Sequence, residues 1–405
     1  MKSTKIGKNT FQLTVNLESD VLFEGFWKIP HGVSINRYII KGDKIELIDG
    51  VSGWDNVPEN LYTLMKDAKV GPEEIDYLII NHMEPDHSGW IESFTKINPE
   101  VQILCSTKAK SLLESFYNHV DNITCVGDGD SLDLGKGHLL EFYDIPNIHW
   151  PDTMAELDKG TGILYTCDAY GSFGKITSSI YRDEITKEEE VMFDRETKRY
   201  YSNVLASFPQ AVKKANDKFG GLPIEMIAPG HGLIWKEPQK IMDIYQGFAD
   251  CQSKPKGNEI TLIWGSMYGM TEKAVNHVID RLKKEDIILN VHQVPQDDWG
   301  SILASVLSSK GIILAMPTYE YKMYPPMASI LEELGKKRMS NKKALHFGSY
   351  GWSGGAKKEL DEIIARNRMN WEFVDNIEFM GSPNDEDLTK INEGINQFLE
   401  IIKED

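Results

Sequence analysis

The chain has 405 residues, 41% hydrophobic and 26% charged, a composition typical of a soluble globular protein with two or three domains. No segment approaches the roughly 20 apolar residues that a membrane helix requires, and no apolar run follows the basic first residues, so we expect a cytoplasmic protein. The formal net charge of −18 disfavours binding to nucleic acid or to acidic membranes.

The first part of the chain has the pattern of a β-rich fold that passes into mixed strands and helices. Alternating apolar residues predict antiparallel strands at 10–17, 33–40 and 44–49. From Val57 onward, segments of helical period at 61–68 and 90–96 are interspersed with short apolar strands. These strands are predicted at 77–81, 101–105, 139–143, 162–167 and 224–228. Such an order is typical of sheets that are covered by helices.

A polar segment at 251–259, with Pro255 and Gly257, is the expected linker, and we predict domains at 1–252 and 253–405. Beyond it, strands and helices alternate strictly. The strands are predicted at 260–264, 287–294, 311–315, 343–349 and 371–379, and the helices at 271–284, 299–308, 327–334, 356–366 and 387–403. This alternation predicts a doubly wound parallel sheet.

The loop after the strand at 77–81 is rich in potential metal ligands. It contains His82, Glu84, Asp86 and His87, and Pro85 stiffens the turn between them. A strand delivers the loop that follows it to the rim of the sheet, where alternate side chains can converge on one point. We therefore predict a metal site at this rim.

Three later segments each place one more potential ligand after a predicted strand: His149, Asp168 and His231. A single histidine of this kind is usually structural, but several ligand-type residues at several strand ends indicate two adjacent metals. A carboxylate such as Asp168 would bridge them. Because harder oxygen donors suit iron and manganese better than zinc, the carboxylates favour iron.

Three loops of the second part have the composition of a flavin site, because each follows a strand of the predicted parallel sheet at its carboxyl end. The first can cradle a phosphate with backbone N–H groups and hydroxyls at a helix start. In the other two, aromatic residues can flank an isoalloxazine ring and glycines let the backbone approach it. The candidate residues are Ser266, Met267, Tyr268, Gly269, Met270 and Thr271; Pro317, Thr318, Tyr319 and Glu320; and Ser349, Tyr350, Gly351, Trp352, Ser353, Gly354 and Gly355.

The run His82-x-Glu84-x-Asp86-His87, with His149, Asp168 and His231 at long intervals, resembles that of the flavodiiron proteins over essentially the whole chain. The resemblance implies a metallo-β-lactamase-like αββα sandwich, followed by a flavodoxin-like doubly wound sheet that binds FMN. It also implies a non-haem di-iron site. His82, Glu84 and His149 would hold one iron, Asp86, His87 and His231 the other, and Asp168 would bridge them. In this family the equivalent of His87 is sometimes displaced by water.

The same resemblance implies that electrons pass through FMN to the irons, which reduce O2 to water, in a head-to-tail homodimer or a dimer of dimers. The chain looks most like the members of methanogenic archaea that oxidise reduced coenzyme F420. Eight basic residues could attract this polyanionic donor: Lys322, Lys336, Lys337, Arg338, Lys342, Lys343, Lys357 and Lys358. Two alternatives stay open, namely reduction of nitric oxide to nitrous oxide and a metal-dependent hydrolase with a flavodoxin-like sensor domain.

The four cysteines, Cys105, Cys125, Cys167 and Cys251, form no CxxC pair. This argues against a rubredoxin-like segment within the chain and against a disulfide framework. We therefore expect reduced thiols and an electron donor other than a fused rubredoxin.

Overall fold

The computed structural model describes residues 3–52, 54, 56–117 and 120–404. The chain divides into two units, Met1–Tyr201 with Gln210–Gln246 and Ser202–Pro209 with Gly247–Asp405. The boundary after residue 252 stays a prediction, since the two units part within the helix Pro238–Cys251. Within the described ranges, no helix combines the length and the apolar character that crossing a membrane requires.

Two sheets form the first unit. The seven-stranded sheet has the order β1-β2-β5-β6-β7-β8-β9, and the five-stranded sheet the order β10-β11-β12-β13-β14. The strands of the first sheet are β1 Thr4–Gly7, β2 Thr10–Leu17, β5 Val33–Lys41, β6 Ile45–Ile48, β7 Tyr77–Ile80, β8 Gln102–Cys105 and β9 Ile123–Cys125, and a separate hairpin pairs β3 Leu22–Phe23 with β4 Trp27–Lys28. Those of the second sheet are β10 Ser131–Gly135, β11 His138–Asp144, β12 Met154–Asp158, β13 Ile163–Tyr165 and β14 Met226–Ala228.

The helices up to the unit boundary are α1 Val57–Asp67, α2 Pro85–Ser88, α3 Ile91–Ile97, α4 Thr107–Phe116, α5 Lys187–Tyr200, α6 Pro209–Phe219 and α7 Pro238–Cys251. A short 3-10 helix, Pro72–Glu74, and a π-helical turn, Tyr201–Leu205, complete this part. The strands β6 to β9 run parallel to one another. Strands β11, β13 and β14 share one direction, because β12 is antiparallel to both β11 and β13 and β13 is parallel to β14. Loops that follow strands of one direction therefore meet at one rim of each sheet.

Apolar side chains from both sheets form a shared core, in which Tyr38 and Ile40 of β5 cluster with Leu140 of β11 and Tyr165 of β13. The same interior also encloses acidic side chains: Glu46 of β6 and Glu156 of β12 are fully buried. Neither oxygen of the Glu46 carboxyl forms a hydrogen bond among the described residues. Burial raises the pKa of both carboxyls well above the usual value, which favours the neutral form of each.

The second unit contains the predicted parallel sheet, with the order β16-β15-β17-β20-β21. Its strands are β15 Glu259–Trp264, β16 Ile288–Gln293, β17 Gly311–Ala315, β20 Lys343–Tyr350 and β21 Glu372–Met380, and a hairpin of β18 Thr318–Tyr319 and β19 Lys322–Met323 follows β17. The helices are α8 Met270–Leu282, α9 Trp299–Ser308, α10 Pro325–Lys336, α11 Ala356–Arg366 and α12 Asp385–Glu404. The predicted fold class, a two-sheet sandwich followed by a doubly wound sheet, is confirmed.

Several elements of the first unit were not predicted from the sequence, among them strand β12 and helix α4. Strand β12 has the sequence MAELD, in which Glu156 and Asp158 point into the protein although acidic residues usually face solvent. Helix α4 begins after Ser106, whose hydroxyl accepts a hydrogen bond from the Ala109 N–H. The acidic residues of β12 interrupt the apolar pattern that marks a strand, so hydrophobic patterning did not reveal this element.

Candidate metal centre and flavin site

The predicted metal ligands come together in the first unit at the rim where like-directed strands end. The loop after β7 supplies His82, Glu84, Asp86 and His87, of which the last two lie on the single turn of α2. His149 lies between β11 and β12, and Asp168 and His231 follow β13 and β14. Sequence reasoning placed all of these residues on strand-end loops, and the structure agrees.

The first cluster consists of His82, Glu84, His149 and Asp168, whose ligand atoms all lie within 4.8 Å of one another. Oε2 of Glu84 lies 2.8 Å from Nε2 of His149 and 3.3 Å from Nε2 of His82. Oδ2 of Asp168 lies 3.3 Å from Nε2 of His149 and 3.6 Å from Nε2 of His82. Two imidazoles and two carboxylates therefore converge on one point.

The second cluster is formed by Asp86, His87 and His231, again with ligand atoms within 4.8 Å of one another. Oδ2 of Asp86 lies 3.1 Å from Nε2 of His231 and 3.4 Å from Nε2 of His87. Oδ1 of Asp168 lies 3.0 Å from Nε2 of His87 and 3.3 Å from Nε2 of His231. Asp168 thus directs one oxygen to each cluster, which is the arrangement of a bridging carboxylate.

The residues fit a pair of metal ions. Neither carboxylate oxygen of Asp86, nor Nε2 of His231, makes a hydrogen bond with any described residue, although both side chains are buried. Buried polar atoms without a hydrogen-bond partner cost free energy of folding. A cation between Asp86 and His231 would give both side chains a partner. The mixed oxygen and imidazole donors suit iron.

The electrostatics of the clusters favour the ionised form of Glu84 and Asp168. Burial alone would raise the pKa of Asp168, but the charge of His87 and the close approach of the His149 and His231 imidazoles outweigh it and hold this pKa well below the usual value. Burial opposes charge on His87 as well, yet Asp86 and Asp168 raise its pKa to about 10. Hydrogen bonds with Asp168 and Glu84 likewise raise the pKa of His149 to about 9 against the effect of burial. The cluster therefore favours positive charge at its centre.

Three groups behind the ligands were not predicted from the sequence. Oδ2 of Asp49 lies 3.2 Å from Nδ1 of His87, and Oδ2 of Asp152 lies 3.7 Å from Nδ1 of His82. Nδ1 of His231 lies 2.9 Å from the carbonyl oxygen of Ser34, to which it can donate. Such acceptors fix the orientation of a ligating imidazole and leave Nε2 free for the metal.

The hairpin of β3 and β4 lies against the metal centre. The ring of Phe23 contacts the ring of His231 edge to face, with centroids 5.5 Å apart. Oε1 of Glu24, in the turn of the hairpin, lies 4.0 Å from Nε2 of His149. Each strand of this hairpin has only two residues, and nothing in the sequence distinguishes the hairpin from other short turns. It was not predicted as part of the site.

In the second unit, the first flavin loop connects β15 to α8. Gly269 is the N-cap of α8 with a φ of 82°, and its N–H donates to Oγ of Ser266 at 3.0 Å. Oγ1 of Thr271 lies 3.0 Å from Oγ of Ser349, so the first loop is tied to the end of β20. Backbone N–H groups and hydroxyls at a helix start form a suitable phosphate cradle.

The other two predicted loops follow β17 and β20, which lie beside β15 in the sheet. In the hairpin of β18 and β19, Glu320 and Tyr321 form the turn with positive φ values. Tyr321 and Trp352 are 65% and 73% exposed, with ring centroids 6.2 Å apart, and Tyr268 of the first loop is 88% exposed. The expected FMN-binding residues thus lie on three adjacent strand ends, with large aromatic surfaces open to an incoming ring.

The predicted basic surface is not continuous. Lys322, Lys357 and Lys358 lie in β19 and the first turn of α11, close to the flavin loops in the chain. The other five basic residues lie at the ends of helix α10 and strand β20 that are away from the flavin loops. Lys336, Lys337 and Arg338 are at the end of α10, and Lys342 and Lys343 are at the start of β20. Lys342 is fully buried and donates to the Leu307 carbonyl. The expectation of eight basic residues around the flavin is therefore wrong for these five.

The chain is similar to known proteins along most of its length. Residues 33–232 match the family model described as ODP family beta lactamase. A nitric oxide reductase of Moorella thermoacetica is 32% identical over 337 residues, 82% of this chain and 82% of the relative. An anaerobic nitric oxide reductase flavorubredoxin of Enterobacter sp. is 33% identical over 341 residues, 82% of this chain and 68% of the relative. A solved single-residue mutant of a flavo di-iron protein from Thermotoga maritima superposes with a TM-score of 0.88 at 30% identity, covering 99% of this chain and 98% of the other.

Proposed function

This chain belongs to the flavodiiron family of oxidoreductases, and on that basis we propose that it takes electrons from reduced coenzyme F420 and reduces O2 to water. Proteins of this family carry FMN and a non-haem di-iron site. When bound, the flavin supplies electrons singly or in pairs and the iron pair supplies reversible one-electron redox chemistry. The observation that carries the two-metal part of the proposal is the position of Asp168, which offers one oxygen to each of two ligand clusters.

The protein side chains have distinct tasks in this proposal. Asp168 would hold both ions, and Glu84 and Asp86 add one further carboxylate to each cluster. Asp49 lies 3.2 Å from Nδ1 of His87 and orients this ring from behind, and Asp152 places a negative charge 3.7 Å from Nδ1 of His82. The resulting negative charge favours iron over zinc, and this argues against the hydrolase alternative.

Nitric oxide reduction is the second candidate, because two relatives that match most of the chain are named nitric oxide reductases. Both reactions suit the same ligand set, since both need two adjacent metals that can bind a small diatomic molecule. Dioxygen takes four electrons and two molecules of nitric oxide take two. The proposal for O2 rests on the resemblance to the F420-oxidising members of the family.

The exposed aromatic side chains of the flavin loops favour an electron donor with a planar ring. Hydride transfer between a deazaflavin and FMN requires that the two rings stack face to face, and Tyr321 and Trp352 are exposed where such a ring would approach. Lys358 is exposed at the first turn of α11 and adds positive charge near these loops. Reduced rubredoxin and NADH are the competing donors.

We also propose a head-to-tail homodimer, or a dimer of such dimers, in which the flavin of one chain serves the irons of its partner. Analytical ultracentrifugation of the flavin-loaded and iron-loaded protein tests this assembly. A monomer that retains full oxidase activity on dilution would contradict it.

The proposed activity is tested by giving the anaerobic protein reduced F420, NADH or reduced rubredoxin in separate titrations and recording the bleaching of the flavin. O2 and nitric oxide consumption are then measured in parallel with the best donor. We expect reduced F420 to bleach the flavin fastest and O2 turnover to exceed nitric oxide turnover. Equal or faster nitric oxide turnover would instead establish the second candidate, and stoichiometric zinc with esterase activity would overturn the oxidoreductase assignment.

A further inference from the structure

Two of the four cysteines lie side by side at the edge of the seven-stranded sheet, although they are distant in the sequence. Strands β8 and β9 are parallel neighbours, and Cys105 is the register partner of Cys125. The N–H of Val126 donates to the carbonyl of Cys105 at 3.0 Å, which fixes this pairing. Opposed residues of neighbouring strands point to the same face and lie about 4.8 Å apart. This separation falls within the range of about 4.4 to 6.8 Å that disulfides span between Cα atoms.

The two thiols differ in their access to solvent. Cys125 is exposed and lines a cavity of about 390 Å³ together with Ser106 and Lys108 at the start of α4. Cys105 is fully buried, and burial, with a smaller contribution from Cys125, raises its pKa to about 12. A dissolved oxidant therefore meets Cys125 first, and Cys105 is the thiol beside it that can resolve the oxidised product.

We propose that Cys105 and Cys125 form a redox modification site, at which hydrogen peroxide converts the thiol pair into an intramolecular disulfide. The thiolate of Cys125 attacks one peroxide oxygen, the O–O bond breaks, and the leaving hydroxide takes a proton to become water. The Cys105 sulfur then displaces the hydroxyl group of the sulfenic acid on Cys125. The S–S bond forms, the S–O bond breaks, and the Cys105 proton leaves with the hydroxide as a second water, so that two electrons pass from sulfur to peroxide.

The modified strand end is connected to the metal centre. Ser106, the residue after Cys105, donates its hydroxyl hydrogen to the carbonyl oxygen of Asp152 at 2.8 Å. The carboxylate of Asp152 accepts from the N–H of Met83 at 2.8 Å and lies 3.7 Å from Nδ1 of His82. A disulfide that draws Cys105 toward the edge strand therefore shifts the acceptor behind a metal-ligating histidine. This site does not depend on which gas the protein reduces.

The test uses the iron-loaded, flavin-loaded wild-type protein, treated with hydrogen peroxide, alkylated and mapped by peptide mass spectrometry. We expect the free thiols to fall from four to two per chain and a peptide pair to be joined through Cys105 and Cys125. In Cys105→Ala, a dimedone adduct should appear on Cys125. Cys251→Ser is the matched control and should form the link as the wild type does.

Sulfinic acid on Cys125 with Cys105 still a thiol, or a disulfide to another chain, would overturn the proposal. The peptide map of the wild type decides this even if Cys105→Ala fails to fold. The effect of the disulfide on the metal centre is measured by the absorption spectrum of the iron site. This spectrum should change when the wild type is oxidised but not when Cys125→Ser is oxidised. Identical changes in the two proteins would show that the disulfide does not reach His82.

Discussion

Nε2 of His87 lies 3.0 Å from Oδ1 of Asp168, as close to the bridging carboxylate as any other imidazole of the two clusters. Its other ring nitrogen, Nδ1, lies 3.2 Å from Asp49. A histidine held from behind by a carboxylate and directed at a bridging carboxylate has the geometry of a ligand. His87 as a ligand of the second metal stays a prediction, and its ring has the position that this role requires.

We expect Asp168→Asn to lower the iron content below about two per chain and to abolish reduction of O2 or nitric oxide. The substitution removes one negative charge from both clusters and weakens the bridge between the metals. Reduction of the flavin by an external donor should be unchanged, because the flavin loops belong to the other unit. Iron analysis and anaerobic flavin bleaching measure the two effects. Asp243→Asn, an exposed aspartate of α7, is the control, and an equal loss of flavin reduction in Asp168→Asn would contradict the expectation.

Iron loading of the metal-free protein should strengthen as pH rises from about 6 to about 8. The pKa of His87 is about 10 and that of His149 about 9, so both imidazoles are protonated in this window and must release a proton before they bind iron. Each displaced proton raises the apparent affinity up to about tenfold per pH unit. Anaerobic calorimetric titration with ferrous iron, in buffers of different ionisation enthalpy, counts the released protons. An affinity that is independent of pH would show that the imidazoles are already neutral.

Glu46→Gln should stabilise the metal-free protein, and more so at high pH. The pKa of Glu46 is raised above its unfolded value, so the unfolded chain ionises first and folding becomes less favourable as pH rises from about 4.5 toward the folded pKa. Glutamine does not titrate and removes this dependence. We expect the gain in free energy of unfolding to be larger at about pH 8 than at about pH 5. Denaturant unfolding at both values measures it, and the exposed Glu73→Gln should show no such difference.

Gly269→Ala should weaken FMN binding about tenfold or more. Gly269 has a φ of +82°, a conformation that alanine adopts only at a cost of about 1 to 2 kcal/mol, and it caps the helix whose first N–H groups form the phosphate cradle. Gly257→Ala is the matched control, because Gly257 has a φ of +94° and lies in the linker. Fluorescence titration of the flavin-free proteins compares them. A similar loss of affinity in both variants would indicate a general loss of stability.

The metal ligands could be predicted because each follows an apolar strand, and the side chains after like-directed strands meet at one rim. The positions of Asp49 and Asp152 behind the ligands could not be predicted from the sequence. Whether an aspartate turns toward a histidine depends on how the two sheets stack. Glu156 was missed for a similar reason: a buried acid breaks the apolar pattern that marks a strand. The pairing of Cys105 with Cys125 depends on strand register. Inspection of the sequence for closely spaced cysteines does not reveal a pair of this kind.

The distribution of the ligands along the chain also has a consequence for biosynthesis. The cluster of His82, Glu84, His149 and Asp168 is complete once the ribosome has released strand β13 and the turn after it. The second cluster needs His231, which cannot take its place until β14 has paired with β13. A nascent chain therefore contains all four side chains of the first cluster before the helices between these strands have been made, and all those of the second cluster only afterwards.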